Sequence, residues 1–237
     1  MRGYFIFASK DSRDYRIGIE KCPTYPVAQR VIEKTTVSGR SGDLVFDTGA
    51  YANVTQEYEI YFNAKQMGLS PTAGCLAQWL QSGRGYQRLE DNYRPDSYRM
   101  ALFTGPLDIN NWMNLYGRAT LQFDCQPQRW LKLGEQAISI TSGQTIYNPG
   151  MPSEPLIEVV GNGTLNIGKY TITIKDITGT GPVSIDSEAK DAWQGMNNAN
   201  GNVQLENHQY PIIQSGEVEI TYTGFTSVSI TPRWWTL

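Results

Sequence analysis

The chain is poor in the residues from which most catalytic and metal sites are built. Its 237 residues include one histidine, His208, and three widely spaced cysteines, Cys22, Cys75 and Cys125. A catalytic triad needs a histidine beside its nucleophile, and no Gly-x-Ser-x-Gly segment is present. One histidine with scattered thiols also argues against a zinc site. The sequence therefore predicts a protein that is not an enzyme, with no catalytic residue, metal or cofactor.

Long apolar runs and an export signal are missing as well. No apolar run approaches the length that spans a membrane. Met1-Arg2-Gly3 leads directly into a short apolar strand rather than into a signal sequence. We therefore expect no membrane partner, and synthesis in a reducing cytoplasm with free, mostly buried thiols.

Charge is scarce but unevenly distributed. The net charge of −3 is too small for a dedicated nucleic-acid binder. Residues 1–133 hold sixteen Lys and Arg against thirteen Asp and Glu, whereas residues 134–237 hold four against ten. This asymmetry predicts two domains, 1–133 and 134–237, with different neighbours.

One stretch, Ser70 to Gly83, is typical of a helix with both ends marked. Ser70 is placed to cap the helix, Pro71 suits its first position, and Gly83 suits the left-handed residue that follows the last turn. Leu76, Trp79 and Leu80 form an apolar stripe with helical spacing. The spacing predicts a helix over 71–82, held by packing of that stripe.

Nearly everything else predicts strands. Val54 to Asn63 and Gly117 to Cys125 alternate apolar and polar residues, and the second of these strands is expected to stop at Pro127. Tyr4–Phe7 and Tyr15–Ile19 are expected to form a first strand pair. Beyond residue 155, strands recur with short turns, including a hairpin turn at Asn162-Gly163. The fold class is mainly β: an N-terminal β-sandwich with one α-helix, then a second sandwich or jelly roll.

Three surfaces admit a functional and a structural interpretation. Residues 34–49 contain Gly-Arg-Ser-Gly, but a strand follows where a phosphate-binding loop needs a helix, so an ordered structural loop, of the kind found at interfaces, is favoured. The arginines between 84 and 99 alternate with Glu90, Asp91 and Asp96, which favours an ion-paired or subunit-facing surface over a nucleic-acid patch. The carboxylate pairs Glu57/Glu59 and Glu217/Glu219 suit solvated strand faces better than glycosidase acids.

In the order and spacing of its motifs, the whole chain resembles the distal tail proteins of long-tailed (siphovirus) bacteriophages. No single motif decides this. The matching segments are Tyr4–Phe7, Asp14–Ile19, Gly39–Leu44, Trp79-Leu80, Phe123-x-Cys125-x-Pro127, Asn148–Gly150, Glu154–Ile157, Ile185–Glu188 and Pro232–Trp235.

The resemblance implies a structural virion protein of the tail tip, or baseplate, made in the bacterial host cytoplasm. The N-terminal β-sandwich of this family assembles into a homohexameric ring, and its C-terminal domain is a galectin-like β-sandwich. The ring joins the major tail (tube) protein to a tail-associated hub or lysin protein and often to receptor-binding proteins, and DNA only passes through it. Candidate ring-interface residues here are Arg40, Asp43, Arg84, Arg88, Asp96 and Arg99.

The second domain departs from sugar-binding galectins. Asn207-His208 has no arginine beside it, and no Trp-Gly-x-Glu segment follows. Trp193 and His208 are the only glycan contacts that we consider, and a galectin shape alone does not license sugar binding. The alternatives to a ring scaffold are a carbohydrate-binding adhesion module of the tail tip, which predicts exposed aromatics on one face of the second domain, and a cell-wall hydrolase.

Overall fold

The structure, a computed structural model, describes residues 3–65, 68–112 and 115–237, with only the backbone described at 111 and 112. The chain divides into two compact units: residues 1–129 with Leu237, and Trp130–Thr236. Both consist mainly of strands, and the described residues contain one α-helix, so the predicted mainly β fold class is confirmed.

The elements of the first unit are β1 (Phe5–Phe7), β2 (Lys10–Asp11), β3 (Ile17–Ile19), β4 (Arg30–Thr35), β5 (Leu44–Tyr51), β6 (Val54–Asn63), α1 (Leu69–Gln81), β7 (Gln87–Asp91), β8 (Ser97–Phe103), β9 (Asn110–Trp112) and β10 (Tyr116–Leu131). A curled sheet runs β2-β1-β7-β8-β10-β6-β3, with β9 also paired to β10, and β4 and β5 form a separate two-stranded sheet. Gly3, just before β1, bridges to Ile19 of β3, so the curled sheet nearly closes around its core.

Helix α1 covers this core with the predicted stripe. Leu76, Trp79 and Leu80 are all buried. The indole of Trp79 stacks on Tyr15, with ring centroids 4.4 Å apart, and its Nε1 donates to the Phe7 carbonyl at 3.1 Å. The packing of the stripe on strand β1 therefore confirms the prediction that packing holds the helix.

The predicted helix ends were wrong. The helix begins at Leu69, and the residue before it is Gly68, not Ser70. Pro71 is tolerated because it lies within the first turn, where backbone N–H groups have no helical partner. At the other end Ser82 donates both its N–H and its hydroxyl to the Trp79 carbonyl, and Gly83 does not adopt a left-handed conformation.

The two strands predicted within Tyr4–Phe7 and Tyr15–Ile19 are present, but the prediction that they form a pair was wrong. Strand β1 pairs with β2 and β7, whereas β3 pairs with β6. A 3-10 helix, Ser12–Tyr15, separates β2 from β3. The turn just before residue 10 joins β1 to β2, whereas β7 and β6, the other partners, lie far along the chain and are not revealed by local turn signals.

Strand β6 shows the predicted alternation of buried and exposed residues, and β10 is longer than predicted. Val54, Tyr58, Ile60 and Phe62 are buried, as expected. The long strand does not stop at Pro127, because its ladder with β6 ends at the Cys125–Val54 pair and Pro127 has no β6 partner to satisfy. Of the three free thiols only that of Cys125 is buried, so the expectation of mostly buried thiols was wrong.

The second unit is a pair of sheets around an aliphatic core. One sheet runs β11-β21-β13-β16-β17-β18 and the other β12-β20-β14-β15-β19. β22 pairs with the last residues of β10, where Leu131 donates its N–H to the Trp234 carbonyl. The strands are β11 (Ile138–Ile140), β12 (Gln144–Asn148), β13 (Leu156–Val160), β14 (Gly163–Ile167), β15 (Tyr170–Ile174), β16 (Val183–Asp186), β17 (Asp191–Gln194), β18 (Asn197–Asn198), β19 (Val203–Leu205), β20 (Gly216–Thr223), β21 (Ser227–Thr231) and β22 (Trp235–Thr236).

The turn at Asn162-Gly163 is not a hairpin turn, as the sequence had suggested. It leads from β13 in one sheet to β14 in the other, and those two strands are not paired with each other. The adjacent turn at Gly168-Lys169 does close a hairpin, because Ile167 pairs with Tyr170.

Candidate functional site

The most unusual surface of the first unit is a two-stranded arm, residues 30–51, formed by β4, β5 and the loop between them. Its strands pair with each other and with no other described strand. Every residue of β4 is exposed, and only the first and last residues of β5 are half-buried. The sequence predicted a glycine-rich loop over 34–49. That prediction was wrong, because the loop proper is confined to 36–43.

Both faces of the arm carry apolar side chains. Phe46 lies opposite Glu33 on one face, and Val45 lies opposite Lys34 on the other, the face shared with Ile32. Phe46 and Val45 are each 53% exposed, and Ile32 is 42% exposed. Large apolar side chains exposed to water are typical of a contact surface when several lie on one small element, and a sheet edge that offers free backbone groups is open to pairing.

Polar contacts stiffen the arm where it leaves the sheet. The carboxylate of Asp47 accepts a hydrogen bond from the Gly49 N–H at 2.9 Å and another from the Arg30 guanidinium at 2.6 Å. These hydrogen bonds lower the pKa of Asp47. Arg30 also reaches the Tyr51 hydroxyl at 3.4 Å. The arm is therefore a preformed element rather than an unstructured loop.

Two of the candidate interface residues, Arg40 and Asp43, lie at the tip of this arm. Both are exposed. Asp43 accepts a hydrogen bond from the Thr36 hydroxyl at 2.9 Å, which ties the two sides of the tip together. Gly39 and Gly42 have φ values of 81° and 86°, which favour glycine, and they let the loop turn between the strands.

Three more candidates, Arg84, Arg88 and Asp96, lie outside the arm. Arg84 is exposed after α1, and Asp96 is exposed between β7 and β8. Arg88, on β7, pairs with Glu90, and its guanidinium carbon lies 3.8 Å from the centroid of the Tyr98 ring. The half-buried guanidinium of Arg88 is thus already engaged within the chain.

Arg99 has a different place from the one predicted. It is only 3% exposed, so it is an interior residue and not a surface one. Its guanidinium donates to the carbonyls of Gln126 and Pro127, each at 3.1 Å, and of Pro26 at 2.8 Å. On β8 the buried face is Ser97, Arg99, Ala101 and Phe103, while Tyr98, Met100 and Leu102 are half-buried on the other face.

The two candidate glycan contacts are on different sheets of the second unit. Trp193 lies half-buried on β17, in the six-stranded sheet. His208 is exposed in a 3-10 helix, Glu206–His208, that follows β19 of the five-stranded sheet, and its φ of 55° is left-handed. Glycan contact by these residues stays a prediction.

The carboxylate pairs lie on water-exposed strand faces. Glu57 accepts from the Gln122 amide at 2.8 Å, and Glu59 pairs with Lys21 at 2.7 Å. Glu217 and Glu219 are exposed on β20. Within residues 3–65, 68–112 and 115–237, no group of three His, Cys, Asp or Glu residues is placed to hold a metal ion. The same part of the chain contains no helix of the length and hydropathy that could cross a membrane.

Sequence reasoning missed the apolar residues of the arm. Val31-Ile32 and Val45-Phe46 are short apolar pairs among polar residues, and neither shows the alternation of a half-buried strand. The available signal was that two pairs of strand-forming residues, Val31-Ile32 and Val45-Phe46, flank a Gly-rich turn, which is typical of a hairpin.

Comparisons with known proteins give one strong likeness of fold. No protein-family model and no curated protein sequence matches the chain. The crystal structure of the SPP1 Dit protein, described as a paradigm of the hub adsorption apparatus in phages that infect Gram-positive bacteria, matches with a TM-score of 0.75 at 13% identity, over 97% of this chain and 98% of that one. A structure of the phage p2 baseplate in its activated conformation with Sr matches at a TM-score of 0.48 and 9% identity, over 96% of both chains, and adds nothing to the assignment. The resemblance to siphovirus distal tail proteins is thereby confirmed as a likeness of fold, and the chain has, over nearly its whole length, the fold of the SPP1 Dit protein.

Proposed function

We propose that this protein is a structural component of a siphophage tail tip, and that it forms a homohexameric ring through its first unit. The observation that carries the proposal is the arm, whose apolar side chains project into water on both faces. The fold shared with a hub protein of a phage adsorption apparatus supports the tail-tip role.

An arm that is apolar on both faces suits insertion between neighbouring copies. If each copy places its arm on the next one, the contact is head-to-tail, and such contacts close into a ring when the rotation fits. Phe46 and Val45 are each about half exposed, so burying the remainder contributes roughly 1 kcal/mol per side chain. A closed ring repeats that contact at every junction.

The remaining roles follow from the same assignment. The ring would join the tail tube protein to the hub protein and to receptor-binding proteins, with DNA passing through its centre, at the tail tip of the virion. The second unit would decorate the ring as a galectin-like β-sandwich. The exposed, separately engaged carboxylates of Glu57 and Glu59 favour a structural role over a hydrolytic one.

The experiment is to replace the apolar arm residues and measure the molar mass in solution. Wild-type protein and a Val45→Ser/Phe46→Ser variant are compared by light scattering across a wide concentration range. We expect the variant to be monomeric with an unchanged circular dichroism spectrum, because these side chains cover no core of their own chain. Met196→Ser, which removes a fully exposed apolar side chain from the second unit, is the matched control and should leave the oligomer intact. An arm variant with the same mass as the wild type would refute the role of the arm.

A further inference from the structure

The interior of the first unit contains two buried arginines with unused hydrogen-bond donors. Arg99 is 3% exposed and Arg129 is 6% exposed. Among the described residues, nothing accepts from Nε of Arg99 or from Nε and Nη2 of Arg129. A buried donor without an acceptor costs about 1–3 kcal/mol, and more when it is charged. Three such donors call for an acceptor.

Both arginines line the same small cavity. It has a volume of about 10 Å³, room for one particle of the size of a water molecule, and Gln56, Asp91 and Ser97 also line it. A space of this size suits a small occupant, and a water molecule and a small anion are the two candidates.

The charges around the cavity do not balance. Asp91 is the buried carboxylate at this place, and it already accepts hydrogen bonds from the hydroxyls of Tyr58 at 2.9 Å and Tyr25 at 3.2 Å. The backbone N–H groups of residues 93 and 94 also donate to it, at 2.9 Å and 3.0 Å. One carboxylate against two guanidinium groups leaves one positive charge uncompensated inside the protein.

Among the described residues, the other acidic groups beside the cavity do not supply the missing charge. Burial raises the pKa of the Cys125 thiol to about 11, so that thiol is neutral at pH 7. The hydroxyl of Tyr58 has its pKa raised by burial and by Asp91, so it too is neutral. Arg94 adds a further positive charge nearby, although it is exposed. Its guanidinium carbon lies 3.7 Å from the centroid of the Tyr25 ring.

We propose that this cavity is a binding site for one halide ion, chloride under ordinary conditions, held by the free N–H donors of Arg99 and Arg129. A small monovalent anion satisfies the donors and neutralises the excess charge in this small space. Water would satisfy the donors but would leave the charge unbalanced, at a cost that rises steeply in a low-dielectric interior. The site is independent of ring formation.

Bromide provides a direct test in the wild-type protein. Crystals grown in sodium bromide and measured at the bromine absorption edge should show an anomalous peak between Arg99 and Arg129. An electron-density peak at this position with the height of a water molecule and no anomalous signal would overturn the proposal.

Calorimetry tests the energetic side. At constant ionic strength, chloride is exchanged for gluconate, which is too large for the cavity. The melting temperature of the first unit should rise by about 3–6 °C for each tenfold increase in chloride above its dissociation constant. Arg129→Met should abolish that dependence and, in gluconate, should be at least as stable as the wild type, because the uncompensated charge is gone. Arg118→Met, which removes an exposed guanidinium paired with Glu20, is the matched control and should retain the dependence. A wild type that melts at the same temperature in chloride and gluconate would contradict the proposal.

Discussion

The packing of helix α1 on the first unit leads to a prediction whose magnitude follows from the structure. Leu80 is 2% exposed within the core, whereas Gln78, on the opposite face of the same helix, is exposed. Leu80→Ala removes three buried carbon groups, worth about 2.4 kcal/mol in transfer free energy at about 0.8 kcal/mol each. The cavity left behind raises the expected loss to about 3–4 kcal/mol.

The assay is calorimetry or urea unfolding of the full chain, with Gln78→Ala as the control. For a unit of this size, the loss expected for Leu80→Ala lowers the melting temperature by about 10 °C or more. Gln78→Ala should change stability by less than about 0.5 kcal/mol, because it alters only a solvated surface. Small and equal effects of the two substitutions would show that the stripe faces solvent or a partner, and would refute the assignment of α1 to the core.

Three further predictions concern the second unit. Arg233 holds Asp186 through two hydrogen bonds, at 2.7 and 2.8 Å, and this interaction lowers the pKa of Asp186. The contribution of the pair is therefore complete above the ordinary carboxyl pKa of about 4 and is lost as pH falls through the lowered value. Arg233→Met should destabilise the unit by about 2 kcal/mol at pH 7, and calorimetry should show the difference from the wild type shrinking below about pH 4, whereas a constant difference down to pH 2 would contradict the pairing. Expressed alone, residues 130–237 should melt cooperatively and at a higher temperature than residues 134–237, which lack the hydrogen bond from the Leu131 N–H to the Trp234 carbonyl; equal melting temperatures would argue against this boundary. The longer piece should show no saturable binding to host cell-wall polysaccharide in calorimetric titration, and micromolar binding lost on Trp193→Ala would identify an adhesin instead.

Elements that bury one face were predictable from the sequence. Strand β6 and helix α1 each present a continuous apolar stripe, because burial on one side selects side chains with the period of the element. The stripes of both elements therefore appeared in the sequence. The helix ends did not, since caps depend on the local conformation of Gly68 and Ser82 rather than on residue type alone.

The arm and the buried Arg99 were not predictable from sequence patterns, each for a different reason. The arm buries neither face within its own chain, so β4 and β5 carry no alternation to detect. The sequence predicts a surface position for Arg99 because arginines and acidic residues alternate between residues 84 and 99. Its partners are backbone carbonyls from three distant positions, Pro26, Gln126 and Pro127, which no local pattern reveals.

The central claim, a closed ring built by the first unit, is tested most directly by imaging the purified wild-type protein. Electron microscopy with two-dimensional averaging, supported by native mass spectrometry, gives both the symmetry and the number of 26.6 kDa chains in the particle. We predict closed rings of six copies with a central opening, which fall apart to monomers in the Val45→Ser/Phe46→Ser variant. A wild type that remains monomeric at all concentrations and salt conditions would contradict the ring.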